Sequence, residues 1–144
     1  MKPFSLVTVL KHRKSLEDQA IYRLAKAREE ENRALQQLAD EEQILAVLID
    51  TLTQEQSMGI EVVKLARYEQ RIILLEKQIV TLRAILHKKK EELSRAQNHL
   101  LSRSKDRKIM ETLQQKQDEA WQLFLKQKET ATMDEIAVIF HNRE

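Results

Sequence analysis

"TQEQSMG", residues 53 to 59, interrupts a chain that is otherwise patterned as helix almost from end to end. Its reading decides the fold. The stretch carries no large apolar residue until Met58 and ends at Gly59, the only glycine of the 144 residues. Glycine accepts the left-handed backbone conformation in which helices commonly terminate, so the segment is the expected site of a chain reversal. On either side nothing comparable occurs. The single proline, Pro3, lies at the start, and glycine and proline are the strongest helix breakers.

Upstream of the reversal, alternate steps of three and four from Leu6 give Leu10, Arg13, Glu17, Ala20, Leu24, Ala27, Glu31, Ala34, Leu38, Glu41, Leu45, Leu48 and Leu52. This is a heptad seam with charged interruptions. Val7, Ile21, Leu35 and Ile49 recur at a neighbouring position and widen the apolar stripe. Downstream, a second seam keeps phase through Leu65, Tyr68, Ile72, Leu75, Ile79, Leu82, Leu86, Lys89, Leu93, Ala96 and Leu100. The expected fold class is all-α: an antiparallel two-helix coiled-coil hairpin with an extended C-terminal helix. A single hairpin is expected over residues 1–144, with helix one at about 4–52, the turn at about 53–60 and helix two at about 61–140.

Matching small residues to large ones suggests a register. Leu48 is set against Leu65, Ala34 against Ile79, Ala27 against Leu86, Ala20 against Leu93, and Leu38 against Leu75. In that register Glu31 faces Leu82 and Lys89 faces Leu24, so both charged heads must reach solvent along their stems. A register shifted by seven residues stays open. Leu6 falls opposite Arg107, and about 30 residues of the second helix extend beyond, at a rise of about 1.5 Å per residue. They carry Ile109, Met110, Leu113, Trp121, Leu123, Phe124, Leu125, Ile136, Ile139 and Phe140. So much apolar surface calls for a cover. A fold-back is disfavoured, since "SRSKDRK" at 102–108 offers no glycine or proline for a bend. Self-association through the C-terminal helix and a different partner protein are the remaining answers.

Composition narrows the function. With 33% charged and 4% aromatic residues, the chain is poorly supplied for a round globular core. It has no cysteine, so neither disulfides nor thiolate metal sites arise. No apolar run approaches the roughly 20 residues of a membrane span, and "MKPFSLVTVLKHRK" lacks a small-residue cleavage site. A cytoplasmic protein is expected. His12, His87, His99 and His141 lie too far apart for one helical face to gather them, and neither a phosphate-binding glycine loop nor a nucleophile motif is present. Paired acids such as Glu30 with Glu31 read as solvated helix charge. We expect no enzyme, no cofactor and no metal. The basic runs at 11–14 and 87–90 are followed at once by Glu17 and Asp18, and by Glu91 and Glu92, and the net charge is only +2. Nucleic acid needs a sustained basic face, so it is not an expected partner.

Three segments resemble the FliJ family, the small coiled-coil stalk proteins of the flagellar type III export ATPase. Near the start, Phe4, Leu6, Val9, Leu10, Arg13, Lys14, Glu17 and Ala20 look like the family's opening helix. After the turn, "YEQRIILLEKQI" is similar to a Tyr-x-Gln-x-Ile-x-x-Leu-Glu-Lys-x-Ile signature through Tyr68, Gln70, Ile72, Leu75, Glu76, Lys77 and Ile79. Near the end, Met133, Asp134 and Glu135 match a Met-Asp-Glu element.

The resemblance implies a protein that inserts both ends of its hairpin into the hexameric ring of the export ATPase FliI. Nearer the turn it implies contact with the export gate protein FlhA, and it implies contact with export chaperones, at the cytoplasmic face of the inner membrane when assembled. Ring contacts fall on Phe4, Leu6, Trp121, Phe124, Met133, Asp134, Glu135, Ile136 and Phe140. Gate contacts fall on Gln37, Ile44, Leu48, Tyr68, Gln70, Arg71, Leu75 and Gln78. Arg71 stands where the family often has an aromatic residue. A virulence type III secretion stalk and a homodimeric structural coiled coil are the alternative readings.

Overall fold

A computed structural model describes residues 6–143. Two helices account for nearly all of them: α1, Val7–Met58, and α2, Val62–Arg143, of 52 and 82 residues. They pack against one another as an antiparallel coiled-coil hairpin, and no strand occurs among the described residues. Phe4, and with it the expected start of helix one, lies outside the described residues.

The reversal is shorter than the sequence suggests. Residues 53–58 belong to α1, and only Gly59, Ile60 and Glu61 separate the helices. Losing the apolar seam does not lose the helix there, because the polar side chains fold back on it. The Thr53 hydroxyl donates to the Ile49 carbonyl at 2.9 Å and the Ser57 hydroxyl to the Gln54 carbonyl at 2.6 Å. Gly59 then ends α1 with φ at +93°, its N–H donating to the Gln56 carbonyl at 3.3 Å. A left-handed backbone at that point is what glycine supplies and side chains resist.

By contact the chain forms two units, Ala20–Leu100 and a second joining the residues up to Gln19 with those from Leu101 onward. In the first unit the core is a single file of apolar side chains: Ala20, Ala34, Leu48 and Leu52 from α1, and Leu75, Ile79, Leu86 and Ala96 from α2. Cross-helix polar contacts fix its register. Lys89 Nζ donates to Glu30 at 3.2 Å, Arg83 to Glu42 at 3.4 Å, and Lys64 to Glu55 at 3.2 Å. These place Ala34 level with Leu86, Ala27 with Leu93 and Leu38 with Leu82. The expected pairing of Ala34 with Ile79 and of Leu48 with Leu65 is therefore corrected by one heptad, and the cause is the three-residue turn. The correction also resolves the charged interruptions. Lys89 lies beside Glu30 and level with Glu31, so unlike charges share one layer and neither is left facing leucine.

In the second unit the seam is polar. Arg107 Nε donates to both Glu17 carboxylate oxygens at 2.8 and 3.0 Å, and its Nη1 to Glu111 at 2.8 Å. Arg13 pairs with Asp106 at 3.2 Å. The Leu6 N–H donates to Gln114 Oε1 at 2.9 Å, so Leu6 lies beside Gln114 and not opposite Arg107.

Candidate functional site

Two surfaces carry the residues singled out by sequence. The first lies in the unit Ala20–Leu100, on the flank where α1 and α2 meet near the turn. Ile44, Leu48, Tyr68 and Arg71, four of the gate candidates, line one open groove of about 400 Å3 with Gln43, Val47 and Thr51. Heptad geometry makes this inevitable, since Ile44 and Thr51 on α1 and Arg71 on α2 occupy positions that flank the seam on the same side. Gln78 lines the next groove along this unit with Glu41, Lys77, Thr81 and Leu82. Leu75 is buried in the core and lines neither groove. Gln37 and Gln70 are exposed and line neither groove.

Tyr68 is the anchor of this flank. It is half-buried at the seam, where burial pushes its phenol up from the ordinary value and the neighbouring Glu55 carboxylate pushes it further. Glu55 also accepts from Lys64, whose ammonium is held above its usual range first by that hydrogen bond. Tyr68, Glu55 and Lys64 thus lock the first turn of the hairpin to the groove wall. Sequence reasoning assigned Glu55 to the turn, and so overlooked it; its spacing of three from Leu52 on the α1 seam was the available signal.

The second surface is the end of α2. Leu10 of α1 still shares an open groove with Gln114, Asp118, Glu119 and Gln122. Trp121 is half-buried and stacks on Phe124 with ring centroids 5.6 Å apart and planes 27° from parallel. From there every described residue is exposed, including Phe124 at 51% and Phe140 at 62%. At about 100° per residue, Trp121, Leu125, Ile136 and Ile139 fall on one side of the helix, with Lys128 and Thr132 between them. Met133, Asp134 and Glu135 are exposed and point in three different directions. Leu6 is half-buried at the N-terminal end of the same unit. Of the residues nearer α1, Met110 is half-buried, whereas Ile109 and Leu113 are exposed.

On the opposite side of Leu6 from the exposed end lies the polar cluster that sequence reading missed. Glu17 accepts from Arg107, and Ser104 and Arg107 together hold its carboxyl below the ordinary value near 4.5. The hydrogen bonds to Glu17 and Glu111 raise Arg107 in turn. The signal was present in the seam, where Arg13 and Glu17 on α1 are met by Arg103 and Arg107 at heptad positions of α2. Among the described residues no group of three or more histidines or carboxylates could hold a metal ion, and no helix is long and apolar enough to cross a membrane.

The geometry defines a class of protein: two long helices packed as an antiparallel hairpin, with an open groove in one unit and, among the described residues, an exposed helical end in the other. The chain belongs to the FliJ family, whose model, described as flagellar FliJ protein, matches residues 1–144, the whole chain. It is accordingly a structural component of the flagellar export apparatus. Neither a curated protein nor a solved structure matches it.

Proposed function

We propose that this protein is the non-catalytic central stalk of the flagellar export ATPase complex. Its uncovered α2 end inserts into the hexameric ring of FliI, promoting ring assembly and ATP turnover, and the Tyr68 flank engages the gate protein FlhA. Export chaperones are further partners, and the site of action is the cytoplasmic face of the inner membrane. The observation that carries the reading is the exposed apolar end of α2 in a chain matched over its full length by the FliJ family. Apolar side chains such as Phe124, Ile136 and Phe140 gain most from a partner that removes them from water, about 1.5 to 3 kcal/mol for each large side chain fully covered.

The mechanism follows from symmetry. A single helical end inside a sixfold ring meets chemically unlike faces of the six subunits at any moment. Ring states that fit it better are populated at the expense of the others, and this differential binding favours assembly and orders the nucleotide cycle. The stalk contributes no reacting group.

The test is ATP hydrolysis by the cognate export ATPase, with and without this protein, at matched concentration and salt. Stimulation that disappears when residues 119–144 are removed, while the hairpin keeps its helicity, supports the reading. No stimulation and no co-migration with an ATPase hexamer overturns it.

A further inference from the structure

Among the described residues, every fully buried side chain, from Ala20 to Ala96, belongs to the unit Ala20–Leu100. The other unit has none. There α1 brings only Leu6, Leu10 and Leu16 half-buried among the apolar residues of its first turns, with Arg13 and Glu17 half-buried between them. A segment opens at the cost of the packing it loses, so residues 7–19 are held to α2 more weakly than the rest of α1. Charge does most of the holding.

Those charges have a second arrangement open to them. Arg107 Nε donates across the seam to Glu17 at 2.8 Å, while its Nη1 donates at 2.8 Å to Glu111 of its own helix. Asp106 pairs across the seam with Arg13 at 3.2 Å and lies 3.9 Å from Arg103 of its own helix. Arg13 and Glu17 stand four residues apart on α1, the spacing at which unlike charges pair along a helix. Each charge that would lose its cross-helix partner therefore has another within reach on its own helix. Breaking an ion pair is costly chiefly when it leaves a charge buried and alone, and here none is left so.

We propose that residues 7–19 of α1 form a latch with two charge arrangements. Shut, Arg107 holds Glu17 and Arg13 holds Asp106. Open, Arg107 keeps Glu111, Asp106 keeps Arg103, and Arg13 turns to Glu17. Opening uncovers Met110 and Gln114, which lie at seam spacing on the side of α2 that continues through Gln117 to Trp121. The exposed side of α2 thus has two lengths, set by the latch. The device rests on neither the ring reading nor the gate reading, and its test needs no partner protein.

The test is native-state amide hydrogen exchange on the full-length chain, read residue by residue, with two variants whose effects should have opposite signs. In the parent, amides of residues 13–19 are expected to exchange at least about 100-fold faster than those of residues 24–48. Arg107→Gln removes the donor that shuts the latch and should quicken exchange at 13–19 by about 5-fold. Glu111→Gln leaves Arg107 no carboxylate of its own helix to fall back on, so Glu17 is held harder and exchange at 13–19 should slow by about 3-fold. Neither variant should move residues 24–48. A helix end that merely frays ignores both variants, and a cluster that only adds stability loosens with both; either result overturns the proposal. Protection at 13–19 equal to that at 24–48 overturns it as well.

Discussion

Exchanging the small and large partners of one core layer tests the register. Ala34 is 5% exposed and Leu86 is 8% exposed. The Lys89 to Glu30 contact lies one helical turn away on both helices, which sets the two side chains level. Leu86→Ala removes roughly three methylene equivalents at about 0.8 kcal/mol each, a loss of about 2.4 kcal/mol in transfer alone. The seam between two helices is open to water at its flanks, so little cavity term is added, and about 2 to 3 kcal/mol is expected in total. Ala34→Leu inserts the same volume where none is free, at about 1 to 3 kcal/mol. If the sites were independent, the double variant would lose about 3 to 6 kcal/mol. Because they face each other, the inserted leucine fills the space left at position 86, and a favourable coupling of about 2 kcal/mol is expected. The assay is urea unfolding followed by far-ultraviolet circular dichroism, at one fixed protein concentration because association shifts apparent stability. A coupling near zero, together with a large coupling in the corresponding cycle between positions 34 and 79, would refute the register and restore the one that the sequence pattern favours.

Three further outcomes are expected. An added Cβ at Gly59 meets nothing within 4 Å, so Gly59→Ala costs only the strain of a left-handed backbone, about 1 to 2 kcal/mol, read as a lower urea midpoint with unchanged helix content; an unchanged midpoint would show that the turn has another solution. Glu17 is held below 4.5 in the folded chain, so its contribution is present above that value and is lost as pH falls through the lowered one. A carboxyl titration by nuclear magnetic resonance should place its midpoint below 4.5, and Glu17→Gln should flatten the acid limb of stability; a midpoint at or above 4.5 contradicts the geometry. Trp121→Ala with Phe124→Ala should leave the unfolding of the unit Ala20–Leu100 within about 0.5 kcal/mol of the parent, since both side chains belong to the other unit, while reducing stimulation of the export ATPase at least 10-fold. A broad loss of helix content would instead make the pair part of the protein's own core.

Heptad spacing made the hairpin legible because the burial of a helical seam is periodic, and one glycine in 144 residues marks one reversal. Where the helix ends was harder to read. Thr53, Gln54 and Ser57 have no apolar role, yet their side chains bond to the helix itself, so polarity there was mistaken for a turn. Six displaced residues moved the register by a full heptad, and with it Leu6 passed from Arg107 to Gln114. The grouping of Ile44, Leu48, Tyr68 and Arg71 in one groove follows from heptad position and was recoverable in outline. The Arg107 cluster was not, because seam charges declare their partners only once the register is known.

The three-residue turn also dictates the order in which the chain can assemble. Its cross-helix contacts span 9 residues at Glu55 and Lys64, 41 at Glu42 and Arg83, 59 at Glu30 and Lys89, 90 at Glu17 and Arg107, and 108 at Leu6 and Gln114. Each doubling of an open loop adds about 0.6 kcal/mol to its closure, so the inexpensive route is a zipper that starts at Gly59 and runs outward. Synthesis runs the other way along α1. Leu6 leaves the ribosome 108 residues before the glutamine that receives its amide, and the helix made first is the one that waits longest for its neighbour.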